Sequence, residues 1–367
     1  MGHMGHMGHM GRETWGMGRS GDGVDQGAFL EYLQEHWPSG GALTIQEFRA
    51  ITDGWENEIY SFRMIDHGKG VCEDLILRIY PGHDGVVKSR WEFDIMGLLR
   101  RTGFSVPEVH LLEPTGAFLQ KPFMIMEKID GPTLRDMLLD DLNCHLDYSG
   151  KLLDIFCQLL VDLHRWDWQG HRGKLASSIP KNQALAFQQE LEKWSRVADH
   201  GFEPAFDWLS IQYSHMDWEP PCLTHGDFHP ANIIMSWNDT PFVIDWGGSR
   251  FQDFRFDLAW TMLLMSTYGG KGLRDMILGR YQAISGKHVP NMECFEAAAA
   301  LRRLISVYLS VTRGAEQLGM RPDAVTMMQS DLPHLERVYR VFQDRTATNL
   351  PVIEDFFAEM GFNRDSL

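Results

Sequence analysis

The hydrophobic pattern of the chain changes period partway along. Over Thr44–Ile51, Ile59–Ile65 and Asp74–Tyr80 the residues read as strands with the two-residue period of a half-buried sheet. Turn-rich links join them, at 52–58 with Asp53-Gly54 and at 66–70. Within LILRIY, alternation sets Leu75, Leu77 and Ile79 on one face and Ile76, Arg78 and Tyr80 on the other. Next, Val87, Trp91, Ile95, Leu98 and Leu99 recur at helical spacing. Asp84 stands at the N-cap position of this helix, which runs to Arg101 with Gly103 just beyond it. Val109–Leu112 and Pro122–Met126 predict two more strands, and Phe29–Trp37 predicts a short leading helix.

Beyond Lys128 the helical period takes over. Ser149–Trp166 carries Leu152, Leu153, Phe156, Leu159, Leu160 and Leu163 as one stripe. Further helices are expected over Gln183–Ala198, Phe256–Tyr268, Leu273–Ser285, Met292–Arg313 and Asp323–Gln343. The one strand-like interruption is a predicted β-hairpin, Ile233–Ser236 and Phe242–Asp245, split by Trp237-Asn238-Asp239-Thr240. The expected class is therefore α+β. Residues 28–128 form a small mixed β-sheet unit with one main helix, and residues 129–367 a large, mostly helical unit. Residues 1–27 are rich in Met, Gly and His and are expected to be disordered and outside the fold.

Composition narrows the partners. A 44% apolar content supports a real core, and a formal charge of −16 argues against duplex nucleic acid or an anionic membrane. No apolar run approaches the roughly 18–20 residues of a membrane span, and no apolar leader is visible, so a cytoplasmic protein is expected. The five cysteines are odd in number and form no C-x-x-C pair, which reads as free thiols in a reducing compartment.

The chemistry concentrates in LTHGDFHPANIIM, Leu223–Met235. Asp227 and Asn232 are five apart, the spacing of a kinase catalytic loop. Asp245, in FVIDWGG, follows Asn232 by thirteen residues. The hairpin folds Asn232 back beside Asp245, so that an amide oxygen and a carboxylate converge as Mg²⁺ requires.

HGDFHPANII, then VIDW, then FRFDLAW, resembles the aminoglycoside phosphotransferase and choline kinase family, small-molecule kinases with a protein-kinase-like fold. The resemblance covers residues 44–345 and implies a bilobal molecule that uses ATP and Mg²⁺ on a hydroxyl-bearing small molecule. It implies that Asp227 is the catalytic base, that Asn232 and Asp245 hold the metal, and that His225 shapes the loop. His229 falls between base and metal ligand, and Asp257 ties down the loop backbone. Gly54 and Asn57 match the family's loose G-x-x-N phosphate loop. Arg78 stands where many relatives have Lys, and apolar neighbours suggest a partly buried cation that Glu92 can pair. Met126 matches the gatekeeper position, with the Glu127 carbonyl and the Ile129 N–H at the adenine edge. Gly248 departs from the acidic residue often found there.

Two rival readings remain open to test. One is a non-catalytic kinase-fold binding protein, against which Asp227, Asn232 and Asp245 are all present. The other is a zinc hydrolase built on His225-Gly-Asp227-Phe-His229, for which His164, His171, His200 and His215 offer no second paired motif. No motif selects the acceptor or the oligomeric state.

Overall fold

The computed structural model describes residues 24–38, 42–51, 58–82, 84–144, 149–198, 200–314 and 332–361. Five strands form one sheet: β1 (Leu43–Ile51), β2 (Glu58–Asp66), β3 (Val71–Ile79), β4 (Val109–Glu113) and β5 (Phe123–Glu127). Their order is β1-β2-β3-β5-β4, and every pairing is antiparallel. The register between β2 and β3 is unbroken from Glu58↔Ile79 to Asp66↔Val71.

Alternation on β3 sorts its side chains between two cores. Leu75, Leu77 and Ile79 pack with Phe29 and Leu33 of α1 (Gln26–His36). Ile76 and Tyr80 instead join the large core that continues into the helical part. Helix α1 is held at its start by Asp25, whose carboxylate accepts from the N–H groups of Gly27 and Ala28.

Helix α2 (Gly85–Arg101) follows β3 and differs from expectation in two details. Asp84 makes no side-chain cap bond; its carboxylate lies 3.1 Å from Lys88, one turn on. Val87 is 71% exposed, because the inward face carries Ser89, Glu92, Met96 and Leu99. Two residues along a helix is a rotation of about 200°, so burying Ser89 turns Val87 outward.

The helical part comprises α3 (Leu134–Cys144), α4 (Ser149–His164), α5 (Arg172–Leu175), α6 (Gln183–Ala198), α7 (Glu203–Ser214), α8 (Phe254–Gly269), α9 (Lys271–Ser285) and α10 (Met292–Arg313). Two more helices follow, Leu332–Thr346 and Pro351–Glu359. Of the helix expected over 323–343, residues 323–331 lie outside the described residues. The hairpin is present as β7 (Ile233–Met235) and β8 (Pro241–Val243). It is not the sole interruption: β6 (Cys222–Thr224) pairs with β9 (Arg250–Gln252). Strands of three residues are too short for a period to reveal them.

Helix α8 is buried almost all round, with Leu258, Ala259, Thr261, Met262 and Leu263 each at most 2% exposed. A helix without a polar face is a central one, and α8 forms the floor beneath the β6–β7 loop. Among the described residues no helix is long and apolar enough to cross a membrane.

Candidate active site

The loop between β6 and β7 is fixed from below. Asp257, in the first turn of α8 and 1% exposed, accepts from the backbone N–H groups of His225 and Gly226, both at 2.8 Å. His164 Nε2 lies 3.3 Å from the same carboxylate, and His164 Nδ1 is 2.8 Å from the Tyr281 hydroxyl. Burial pushes the Asp257 carboxyl up, but His164, His225 and the loop amides outweigh it and hold it below its ordinary range. Gly226 is required here: its φ is +83°, and a Cβ would sit 2.3 Å from the Gly248 carbonyl oxygen.

His225 is fully buried. Its Nε2 faces the Ile244 carbonyl at 2.9 Å, and its Nδ1 accepts from the Asp227 N–H at 3.3 Å. These partners assign the ring proton to Nε2 and occupy both nitrogens, so the ring shapes the loop and has no lone pair left for a metal. Among the described residues, no group of three or more His, Cys, Asp or Glu is arranged to hold a metal ion. The zinc reading therefore has no ligand set in this part of the chain.

The Asp227 side chain remains 41% exposed. Its Oδ1 accepts from the Trp260 indole N–H at 2.7 Å, and its Oδ2 lies 3.5 Å from His229 Nε2. Burial pushes this carboxyl up, yet His229 and the indole bond outweigh it and hold it well below the usual carboxylate range. Because the side chain is open on one side, solvent weakens all of these effects.

Asn232 and Asp245 are brought together by the hairpin. The Ile244 N–H donates to the Asn232 carbonyl at 2.9 Å, extending the β7–β8 ladder by one pair. The Asn232 side-chain nitrogen donates to the Asp227 carbonyl at 2.9 Å, which commits the nitrogen to the loop and leaves the amide oxygen as a possible ligand. Asp245 adopts the left-handed conformation, φ 66° and ψ 64°, and its side chain is 44% exposed. Its Oδ1 lies 2.5 Å from Arg78 Nη2.

Arg78 bridges Asp245 to the buried Glu92, at 3.5 Å through Nη1. Glu92 also accepts from the Tyr80 hydroxyl at 2.8 Å and from the Trp246 backbone N–H at 3.1 Å. Burial pushes the Glu92 carboxyl above its ordinary range despite Arg78, and the like charge of Asp245 adds to the rise. Two oxygens, one from Asn232 and the second carboxylate oxygen of Asp245, suit Mg²⁺, which takes few protein ligands and completes its octahedron with water and phosphate.

Met126 is buried on β5, opposite Ile76 of β3 and Val109 of β4. Glu127 ends β5, and its carboxylate accepts from the Glu108 N–H. Ile129 lies two residues on, before Gly131, where a Cβ would come within 1.9 Å of the Met235 carbonyl oxygen. The Met235 N–H donates to the Pro132 carbonyl at 2.9 Å, and Thr133 bridges Ile234, so this link is sewn to β7. Gly54 and Asn57 lie outside the described residues.

Two residues of the site escaped the sequence reading. Trp260 lies three positions after Asp257, on the same helical face; FRFDLAW contains it, and that spacing was the available signal. Arg302, on α10, donates through Nη1 to the Gly226 carbonyl at 3.0 Å and stacks on Trp260 with Cζ 4.2 Å from the ring. Nothing local in the sequence marks Arg302, which is 76 residues from Gly226.

A five-stranded antiparallel sheet with one helix tied to it by Arg78–Glu92, joined to a mostly helical part that carries the β6–β7 loop and the hairpin, is a kinase-like fold. Residues 47–297 match the model of the phosphotransferase enzyme family that includes aminoglycoside phosphotransferases, and the chain belongs to that family. Solved structures share the fold. Ethanolamine kinase from Plasmodium vivax is 13% identical, with 82% of this chain and 83% of that one covered at a TM-score of 0.55. The aminoglycoside phosphotransferase APH(2″)-Ib with ADP is 16% identical, covering 87% and 99% at 0.52. APH(2″)-IIa, in a ternary complex with streptomycin and ATP, is 17% identical, covering 78% and 89% at 0.51. Acyl-CoA dehydrogenase family member 10 from Mus musculus is 26% identical over 257 residues, 65% of this chain. The chain spans only 22% of that relative's length.

Proposed function

We propose that the protein transfers the γ-phosphoryl group of ATP to a hydroxyl of a small molecule. What supports this reading is the run of contacts that joins Asn232 to the Asp227 backbone and, across the hairpin, to Ile244 beside Asp245, with Arg78 reaching Asp245 from the sheet. Phosphoryl transfer asks a protein mainly to position groups and to offset charge.

In this reading the Asn232 amide oxygen and the free Asp245 oxygen hold Mg²⁺, which when bound neutralises charge on the β- and γ-phosphates. Arg78 faces the phosphates beside Asp245, and Glu92 keeps it aimed. The segment Met126–Ile129 receives the adenine edge, and Gly54 and Asn57 belong to the phosphate loop. Asp227 Oδ2 accepts the hydrogen bond of the acceptor hydroxyl. Because its carboxyl is held well below the usual range, Asp227 is ionised at neutral pH. It orients the hydroxyl and takes its proton late, as a loose transition state requires. Free thiols and ATP both suit a cytoplasmic setting.

The test is a coupled ADP-release screen over aminoglycosides, macrolides, amino alcohols and sugars. Asp227→Ala should lower turnover on the best acceptor about 100-fold or more, the usual worth of a positioned base. MgATP affinity should stay within about threefold, since the base acts on the acceptor. A variant that keeps more than a tenth of wild-type turnover removes Asp227 from the mechanism.

A further inference from the structure

A carboxylate on a flexible side chain is a poor guide for a hydroxyl, because its terminal torsion is broad and twofold. In this site the torsion is stopped from behind. The Trp260 indole N–H meets Asp227 Oδ1 at 2.7 Å, the shortest of the contacts that this carboxylate makes with Trp260 and His229. An indole nitrogen can only donate, so it takes up Oδ1 and favours the charged form of the acid. Oδ2 is the oxygen left toward His229, 3.5 Å away, on a side chain that is 41% exposed.

Trp260 is itself clamped. It is 7% exposed, and the Arg302 guanidinium lies over its ring at 4.2 Å. The same guanidinium donates to the carbonyl of Gly226, the residue just before Asp227. One cation from α10 thus grips both the indole and the loop that the indole serves. A tryptophan that merely filled space would need neither the aimed N–H nor the stacked cation.

We propose that Trp260 and Arg302 are positioning residues of the transfer reaction, fixing the rotamer of Asp227 so that Oδ2 alone addresses the acceptor hydroxyl. The proposal rests on the kinase reading given above. Trp260→Phe is the informative variant, because it keeps an aromatic face for the cation while removing the indole N–H. With MgATP and water as acceptor, ADP release should show kcat lowered roughly 10- to 100-fold, the usual effect of losing a hydrogen bond to a charged group. The KM for MgATP should move less than about threefold, since the lost bond does not touch the nucleotide. Arg302→Met should lower kcat in the same direction with the indole retained.

An independent readout follows the indole ¹H–¹⁵N resonance of Trp260, which should move more than any other indole signal in Asp227→Ala. An unmoved resonance overturns the proposal even where Trp260→Phe fails to fold. Folded Trp260→Phe with wild-type kcat also overturns it, and leaves the kinase reading intact. Wild-type protein that turns over no MgATP with water or any screened acceptor overturns the kinase reading, and the proposal with it.

Discussion

Replacing Arg78 with methionine should separate a binding cation from a structural tie. The side chains of Arg78 and Glu92 are 5% and 1% exposed, so the pair is desolvated on both sides. Removing one member of such a pair costs about 3–5 kcal/mol, because the other is left buried with its charge uncompensated. Glu92 keeps the Tyr80 hydroxyl and the Trp246 N–H, and its carboxyl is already raised toward protonation. The lower end, about 3 kcal/mol, is therefore expected. Glu92→Gln should relieve the stranded charge, so the double variant should be more stable than the sum of the singles predicts, by about 2 kcal/mol. Urea unfolding followed by tryptophan fluorescence measures all four corners of the cycle. Coupling below about 0.5 kcal/mol, the noise of independent sites, would refute the buried pair. A kinetic arm at a temperature where the variant stays folded decides the function. A raised KM for ATP with lowered kcat is expected, and normal ATP kinetics would reduce Arg78 to a strand-to-helix tie.

In the kinase reading Asp245 is a carboxylate ligand of the cation, so Asp245→Ala should abolish Mg²⁺-dependent ATP binding in a calorimetric titration; unchanged affinity and heat would sink the metal assignment. Asp257 has a folded-state pKa below its unfolded value, so its ionised form adds stability above about pH 4 that is lost as pH falls through the folded value. Asp257→Asn should cost about 2–3 kcal/mol at neutral pH by leaving loop N–H groups poorly paired. It should also flatten the acid dependence of the urea midpoint. Wild type and variant losing stability in parallel on acidification would contradict this origin.

The parts of the fold that follow a period were readable, and those held by single long-range contacts were not. The β3 alternation predicted which residues enter which core, because a strand between two apolar layers must sort its side chains by parity. Helices α6 and α10 begin and end where their apolar stripes do. Val87 misled because the small polar Ser89, not an apolar residue, marks the inward face of the first turns, and that turns Val87 outward. Asp84 has the residue type of a cap, but the salt bridge to Lys88 took its carboxylate. At the site, Asp227, Asn232, Asp245 and Asp257 sit in short strings whose spacing carries meaning. Arg302 reaches the same loop from α10, and no string in the sequence contains both ends of that contact.

The stitching of Pro132 and Thr133 to β7 bears on how the two lobes share load. The connecting link is no loose string between sheet and helices, because it is a third edge of the hairpin that carries Asn232. The link and Asn232 therefore share one hydrogen-bonded frame. Arg78 to Asp245, Glu92 to the Trp246 N–H and Trp91 to Ser249 add three further ties from the sheet and its helix to the segment just past that hairpin, so strain applied to either lobe is spread over backbone and side-chain bonds alike.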